Sequence, residues 1–269
     1  MKKIIASTFA AACAAAFVHA APTDDLAAAA KKLGDAANYS WTATTEIANS
    51  QFPAMPVEGQ TEKGGLTVIT RSFNGNSMQT VRKGDQVVMQ NQQGEWMTME
   101  EMRAQFANRG GGGGGGDGGA PGGGGGGGGN RGGSGGRGGF GFGGGNQVNP
   151  AEEAANLIAK IKDAKIVDGA ITATLSAEDV APLLAFGGGR GGRGGGGGGN
   201  PPPAPTNASG SVKFWVKDGA LVKYVVNVKG TVSFGGQDRE IDRTTTTEFK
   251  NVGSTKVSVP DEAKKKLGA

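Results

Sequence analysis

Cysteine and histidine are almost missing from this 269-residue chain, which has one of each, Cys13 and His19. Both lie within the first twenty residues, so a chain that loses this segment contains neither. Such a chain forms no disulfide and offers no thiol nucleophile, no histidine general base and no Cys or His metal ligand. A Ser-His-Asp triad is therefore excluded, and the sequence predicts no metal site and no cofactor.

The first twenty residues have the three-part layout of a secretory signal peptide. Two lysines precede an apolar, alanine-rich run over residues 4–18, and Val18-His19-Ala20 fits the pattern that precedes cleavage. We therefore expect cleavage after Ala20 and a periplasmic or secreted mature protein. An uncleaved anchor and a lipid attached to Cys13 stay open as alternatives, although the apolar run is short for a membrane span.

Neither a strong net charge nor a long apolar run follows the predicted signal peptide. Two of the 28 Lys and Arg residues leave with it, so the formal net charge falls from +4 to +2. A balance so close to neutral does not predict nucleic-acid binding. No later segment is apolar enough to span a membrane, so we expect no nucleic-acid partner and no transmembrane segment after cleavage.

Glycine is abundant and concentrated, with 38 of the 53 glycines in residues 110–145 and 187–199. Such segments have few side chains to bury and a large backbone entropy to lose on ordering. We therefore predict disordered glycine-rich tracts over residues 109–146 and 187–208. Their Arg-Gly units are similar to RNA-binding segments, but a flexible spacer is the favoured interpretation. The rest of residues 21–269 suffices for a single domain with a hydrophobic core.

Alternation and capping signals outside these tracts predict an α+β fold. An Ala-rich helix over residues 24–37 precedes a strand whose apolar residues alternate from Tyr39 to Ile47. Cap signals predict helices over residues 99–107, 149–163 and 176–186. Further strands are predicted at residues 66–73, 78–82, 86–90, 96–97, 165–167, 170–175, 211–217, 221–229, 231–234, 239–249 and 256–259.

Segments outside the glycine tracts share a pattern with one known family. They are residues 83–88 with Gly94-Glu95-Trp96, residues 167–175, the hairpin 212–228 around Asp218-Gly219, and the closing segments 249–252 and 257–260. These segments resemble those of the LolA/LppX-like lipoprotein-carrier superfamily. The resemblance implies a curved antiparallel β-sheet, a half-barrel, with an N-terminal helix and inserted helices that form a lid on its concave side. It also implies a lipid or other apolar ligand as the partner.

Methionines and aromatic residues are the candidate ligand-binding side chains. Five of the seven methionines fall between residues 78 and 102, and methionine is flexible enough to line a pocket for acyl chains. The aromatic residues are candidates for the same cavity. The full candidate set is Trp41, Met78, Met89, Trp96, Met97, Met99, Met102, Phe214, Trp215 and Tyr224. Ordinary packing in the hydrophobic core is the alternative for all of them.

No arrangement of residues predicts an enzyme. The carboxylates at positions 100–101, 152–153 and 178–179 fall near predicted helix starts, where the helix dipole favours them without any catalytic role. Two function classes stay open. One is an exported cell-envelope protein that binds a lipid or other apolar ligand in a half-barrel cavity. The other is a non-enzymatic structural or interaction protein whose flexible glycine-rich segments contact the envelope.

Overall fold

A computed structural model gives the fold of residues 22–51, 56–73, 75–91, 93–110, 149–184, 204–234 and 237–268. The predicted signal peptide lies outside these ranges, as does most of the two glycine-rich tracts. The first tract was predicted to begin at residue 109, but helix α2 extends to Gly110. The second was predicted to end at residue 208, but a strand already begins at Thr206.

Eleven strands and five helices make up the described part of the chain. The strands are β1 Asn38–Ile47, β2 Pro56–Glu62, β3 Leu66–Phe73, β4 Asn76–Lys83, β5 Gln86–Gln90, β6 Trp96–Thr98, β7 Lys162–Val167, β8 Ala170–Leu175, β9 Thr206–Lys217, β10 Ala220–Phe234 and β11 Gln237–Lys250. The helices are α1 Pro22–Gly34, α2 Met99–Gly110, α3 Pro150–Ile158, α4 Ala177–Leu184 and α5 Asp261–Lys266. Among the described residues, no helix is long and apolar enough to cross a membrane.

All eleven strands belong to one antiparallel sheet in the order β6-β5-β4-β3-β2-β1-β11-β10-β9-β8-β7. Two meanders, β1–β6 and β7–β11, meet where β1 pairs with β11, for example at Trp41 and Phe249. One antiparallel sheet with five separate helices confirms the α+β class. The sheet is curved and does not close, which is consistent with the expected half-barrel.

Alternate residues of a strand point to opposite faces of the sheet, and directly opposed residues on neighbouring strands share a face. We call the side that carries Trp41 the inner face and the other side the outer face. One inner-face row crosses the sheet from β11 to β6 through the opposed residues Phe249, Trp41, Gly59, Ile69, Thr80, Met89 and Met97.

The main core lies between the inner face and helices α1, α3 and α4. Helix α1 buries Leu26, Ala29, Ala30 and Leu33, a spacing that places all four on one stripe of a helix. Helix α3 contributes Ala151, Ala154 and Leu157, and helix α4 contributes Val180 and Leu184. These side chains cover the part of the sheet formed by β1 and β8–β11, including Tyr39, Phe214, Tyr224, Val226 and Phe249.

A smaller core lies on the outer face of β3–β6. It consists of Val68, Val81, Val88, Trp96, Val259, Ala263 and Leu267, so helix α5 and the segment before it pack there. Residues 256–259 were predicted as a closing strand, and this prediction is wrong. Their alternating apolar residues, Val257 and Val259, pack against this outer core, but the segment does not join the sheet.

Three further differences from prediction have a physical reason. Strand β2 was not predicted, because its inner-face residues are Val57, Gly59 and Thr61, which form no apolar alternation. Helix α3 ends at Ile158 instead of residue 163, and Asp163 adopts a positive φ of 54° that a helix does not accommodate. Strand β10 continues through Gly230, where the sequence predicted a break. A Cβ at Gly230 would lie 2.5 Å from Leu184 Cδ1, so this glycine permits the close approach of α4.

The predicted caps of α2, α3 and α4 are confirmed. The Thr98 backbone N–H donates to Glu101 Oε2 at 2.8 Å, and the Glu101 N–H donates to Thr98 Oγ1 at 3.1 Å, which is a capping box for α2. The Ala151 N–H donates to the Asn149 side chain at 3.0 Å at the start of α3. The Asp179 N–H donates to Ser176 Oγ at 3.2 Å at the start of α4.

Candidate functional site

The structure divides the ten candidate side chains among three places. The register assigns six of them to the inner face, namely Trp41, Met78, Met89, Met97, Phe214 and Tyr224. Trp96 and Trp215 belong to the outer face, where their Cα partners are Gln90 and Lys223. Met99 and Met102 lie on α2, which packs along the edge strands β5 and β6.

The three inner-face aromatic residues are part of the main core. Trp41 is 5% exposed, and Phe214 and Tyr224 are fully buried. The Tyr224 ring lies 5.9 Å from the Phe249 ring and 6.2 Å from the Phe214 ring, centroid to centroid. These rings pack beneath α1, α3 and α4, so the described residues leave no open aromatic surface there.

The two outer-face tryptophans have different surroundings. Trp96 is buried in the outer core with Val88 and Leu267. Trp215 is half-buried, and Lys223 Nζ lies 5.4 Å from the centroid of its ring, which is a cation–π arrangement. Because both point away from the inner face, neither shares a surface with Tyr224 or with the inner-face methionines.

Neither of the two apolar cores includes any of the five clustered methionines. Met89 and Met97 are directly opposed on β5 and β6, and Met78 lies on the inner face of the adjacent strand β4. Met78 is 43% exposed, and Met89 and Met97 are half-buried. We call Met78, Met89 and Met97 the methionine patch. It occupies the end of the inner face beyond the residues that α1, α3 and α4 cover.

Helix α3 adds polar groups to the main core. Tyr224 Oη donates to Glu153 Oε2 at 3.0 Å, and Tyr39 Oη donates to Asn149 Oδ1. Burial raises the pKa of Glu153, with Tyr224 and Arg243 opposing that rise, and burial raises the pKa of Tyr39 to about 12. Sequence reasoning treated Glu153 as a helix-dipole carboxylate. Glu153 lies three residues after Pro150 and four before Leu157, which are both buried. This helical spacing is the sequence signal that places Glu153 on the buried stripe of α3.

Charged side chains are sorted between the two faces of the sheet. In strands β1–β6 and β9–β11, the register places every Arg on the inner face and every Asp, Glu and Lys on the outer face. The inner-face arginines are Arg71, Arg82, Arg239 and Arg243. The outer-face carboxylates of these strands are Glu46, Glu58, Glu62, Asp238, Glu240, Asp242 and Glu248. Sequence reasoning missed these arginines, although period-two alternation places Arg71 on the same face as Ile69.

Two clefts lie near the edges of the main core. One, of about 150 Å³, separates the start of α3 from the sheet and is lined by Trp41, Thr67, Ile69, Arg82 and Pro150, among others. The other, of about 410 Å³, lies between α1 and the β7–β8 edge and includes Ala28, Ile166 and Val216 in its lining. Trp41 is the single candidate residue in the lining of these two clefts, and the methionine patch belongs to neither.

The chain is similar to a LolA superfamily protein. A solved structure of such a protein from Nitrosomonas europaea matches 90% of this chain and 97% of its own length, with 7% sequence identity and a TM-score of 0.32. The superfamily of that protein is the one that the sequence segments resemble. A TM-score this low carries no argument about function, so the proposals below rest on the chain's own residues. No family model and no curated protein matches the chain.

Proposed function

We propose that this protein is exported to the cell envelope and binds a lipid or other apolar ligand on the inner face of its half-barrel. The observation that carries the proposal is the methionine patch, because its three side chains are only partly covered and belong to neither core. Contiguous exposed apolar side chains on a folded protein are characteristic of interaction surfaces. Methionine suits such a surface, since its flexible thioether chain adapts to ligands of varied shape.

The location of the patch supports a ligand more than it supports a filled core. Helices α1, α3 and α4 already bury the inner face of β8–β11, so this part of the sheet has its apolar covering. The row that continues across β3–β6 through Ile69, Thr80, Met89 and Met97 points to the same side. An acyl chain along this row would cover Met89 and Met97 without displacing any core side chain, and Met78 lies beside the row at the next inner-face position of β4.

The first test fills the patch with a larger side chain. We expect Met89→Trp to weaken the binding of N-phenyl-1-naphthylamine, a neutral apolar fluorescent probe, by about tenfold or more, since the indole would occupy the ligand's place. The fold should persist, because Met89 lies outside both cores and overpacking costs of about 1–3 kcal/mol apply to filled cores. Fluorescence titration gives the probe Kd, and thermal unfolding gives Tm.

The matched control is Gln86→Trp, which places the same side chain on β5 but on the outer face, where residue 86 is exposed. This variant should bind the probe as the wild type does. Absence of probe binding by the wild type, together with a clear fall in Tm for Met89→Trp, would favour the scaffold alternative, in which the methionines fill space.

The second test concerns export. We expect the protein recovered from the envelope or medium of a bacterial host to begin at Ala21, because Val18-His19-Ala20 fits the pattern that precedes cleavage. Intact-mass spectrometry measures this directly. A mass that retains Met1, or one with acyl chains on Cys13, would contradict cleavage after Ala20.

A further inference from the structure

Arg71 differs from the other inner-face arginines in its partners. Arg243 donates to the Leu183 carbonyl and interacts with Glu153, and Arg82 Nε donates to the Gly84 carbonyl at 2.8 Å. Arg239 is exposed on β11. Arg71 Nε, in contrast, is buried without a hydrogen-bond partner among the described residues. A buried donor with no acceptor is costly, so this guanidinium is suited to a group that supplies one.

The two cross-strand partners of Arg71 on the inner face are apolar. Its Cα partners are Val57 on β2 and Met78 on β4, and Ile69 precedes it on the same face. The charge sorting of the sheet leaves the inner face of β1–β6 with Arg71 and Arg82 and without a carboxylate. A guanidinium does not lose its charge under such conditions, so a positive group is held within an apolar surface.

Arg71 is also directly adjacent to the methionine patch. Met78 is its cross-strand partner, and Met89 lies on the next strand, opposite Thr80, two residues along β4 from Met78. Neighbouring strands are about 5 Å apart, so a ligand that contacts Arg71 with one end reaches Met89 and Met97 within roughly 10–15 Å. This distance suits an amphiphile with a compact head at Arg71 and an apolar chain over β4–β6.

We propose that Arg71 binds the anionic headgroup of the ligand, which makes the ligand class an acidic amphiphile whose head is a carboxylate or a phosphate. The inference rests on the proposed function, since it places the head of the ligand whose chain covers the methionine patch. The planar guanidinium presents paired donors that match both anions, and charge-assisted hydrogen bonds are about twice as strong as neutral ones.

The test compares an acid with its uncharged ester. The probes are 11-(dansylamino)undecanoic acid and its methyl ester, which share one apolar chain and one fluorophore. Wild-type protein should bind the acid about tenfold more tightly than the ester, because only the acid offers a carboxylate to Arg71. A tenfold change in Kd corresponds to about 1.4 kcal/mol. Arg71→Met should remove this difference and keep the affinity for the ester. Arg71→Lys should retain part of it, since lysine keeps the charge and loses the paired geometry.

Arg239→Met is the matched control, because it removes the same charge from an exposed position of the same face. Its acid-to-ester ratio should equal that of the wild type, whereas an equal loss in both variants would show a general charge effect and overturn the assignment. Unlabelled dodecanoate should displace the acid probe, whereas sodium phosphate and sodium acetate should not. If they do, the site is one for free anions and the headgroup assignment is wrong.

The two proposals fail in different ways. If the wild type binds neither probe, apolar-ligand binding itself is wrong. If it binds acid and ester equally, ligand binding stands and the role of Arg71 is wrong. Thermal unfolding of Arg71→Met and Arg71→Lys verifies that each variant is folded at the temperature of the titration.

Discussion

Gly59→Ala should lower the stability of this protein by about 2–3 kcal/mol, although it adds only one methyl group. The Trp41 ring lies directly over Gly59 on the inner face, and a Cβ there would be 2.1 Å from the ring carbon Cε2. The ring has little room to move, because Trp41 is buried and its Nε1–H donates to Thr61 Oγ1 at 3.1 Å. Overpacking a filled core costs about 1–3 kcal/mol, and a strained buried hydrogen bond adds to it.

Thermal unfolding measures this effect, and a fall in Tm of roughly 4–12 °C corresponds to it at this chain size. Gly34→Ala is the matched control, since nothing lies within 4 Å of a Cβ at that position on α1. Alanine favours a helix more than glycine does, so this variant should be as stable as the wild type or slightly more stable. A further comparison in a Trp41→Leu background should show a much smaller cost for Gly59→Ala, because the two positions contact each other. Equal costs in both backgrounds would contradict the account.

Local signals in the sequence predicted most of the individual elements. Alternation marked β1, β3 and β8, and the caps at Thr98 and Ser176 marked the starts of α2 and α4. Strand β2 was not predicted, because its inner-face residue opposite Trp41 is a glycine and therefore does not contribute to an apolar alternation. Its place is determined by the packing of Trp41, which lies about twenty residues away in the sequence.

The arrangement of the ten candidate side chains could not be predicted from the sequence. Ligand binding by the methionines stays a prediction. Phe214, Trp215 and Tyr224 were predicted to line one cavity, although adjacent strand residues such as Phe214 and Trp215 point to opposite faces. Which face is inner depends on the pairing of β1 with β11, two hundred residues apart, and no local signal encodes that register. The sorting of arginines and carboxylates becomes visible only once this register is known.

Glu153→Gln should stabilise the protein at neutral pH, and the gain should vanish in mild acid. Burial raises the pKa of Glu153 above its ordinary value of 4.5, although the hydrogen bond from Tyr224 and the charge of Arg243 oppose the rise. Below pH 4.5 the carboxyl is protonated in both the folded and the unfolded chain, so it has little effect on the pH dependence. As pH rises above 4.5 the unfolded chain ionises first, and the wild type loses stability until folded Glu153 ionises as well.

Glutamine keeps an oxygen that accepts the Tyr224 hydroxyl and does not ionise, so the stability of the variant lacks this loss. We expect a difference in unfolding free energy on the order of 1–2 kcal/mol at pH 8, close to zero at pH 4. Other carboxyls, such as Asp179 and Asp242, have lowered pKa values, so they make the folded protein more stable as pH rises. They are the same in the wild type and in the variant, so their effect cancels in the difference between the two. Denaturant unfolding at a series of pH values measures that difference.

Glu152→Gln controls for the loss of a carboxylate from the first turn of α3, because Glu152 is exposed beside Glu153 on the same helix. It should cost a few tenths of a kcal/mol at neutral pH, through the helix dipole. If Glu153→Gln destabilises the protein increasingly as pH rises, attraction between Glu153 and Arg243 outweighs the cost of burying the charge. In that case the pair stabilises the contact between α3 and the sheet, and the sign predicted here is wrong.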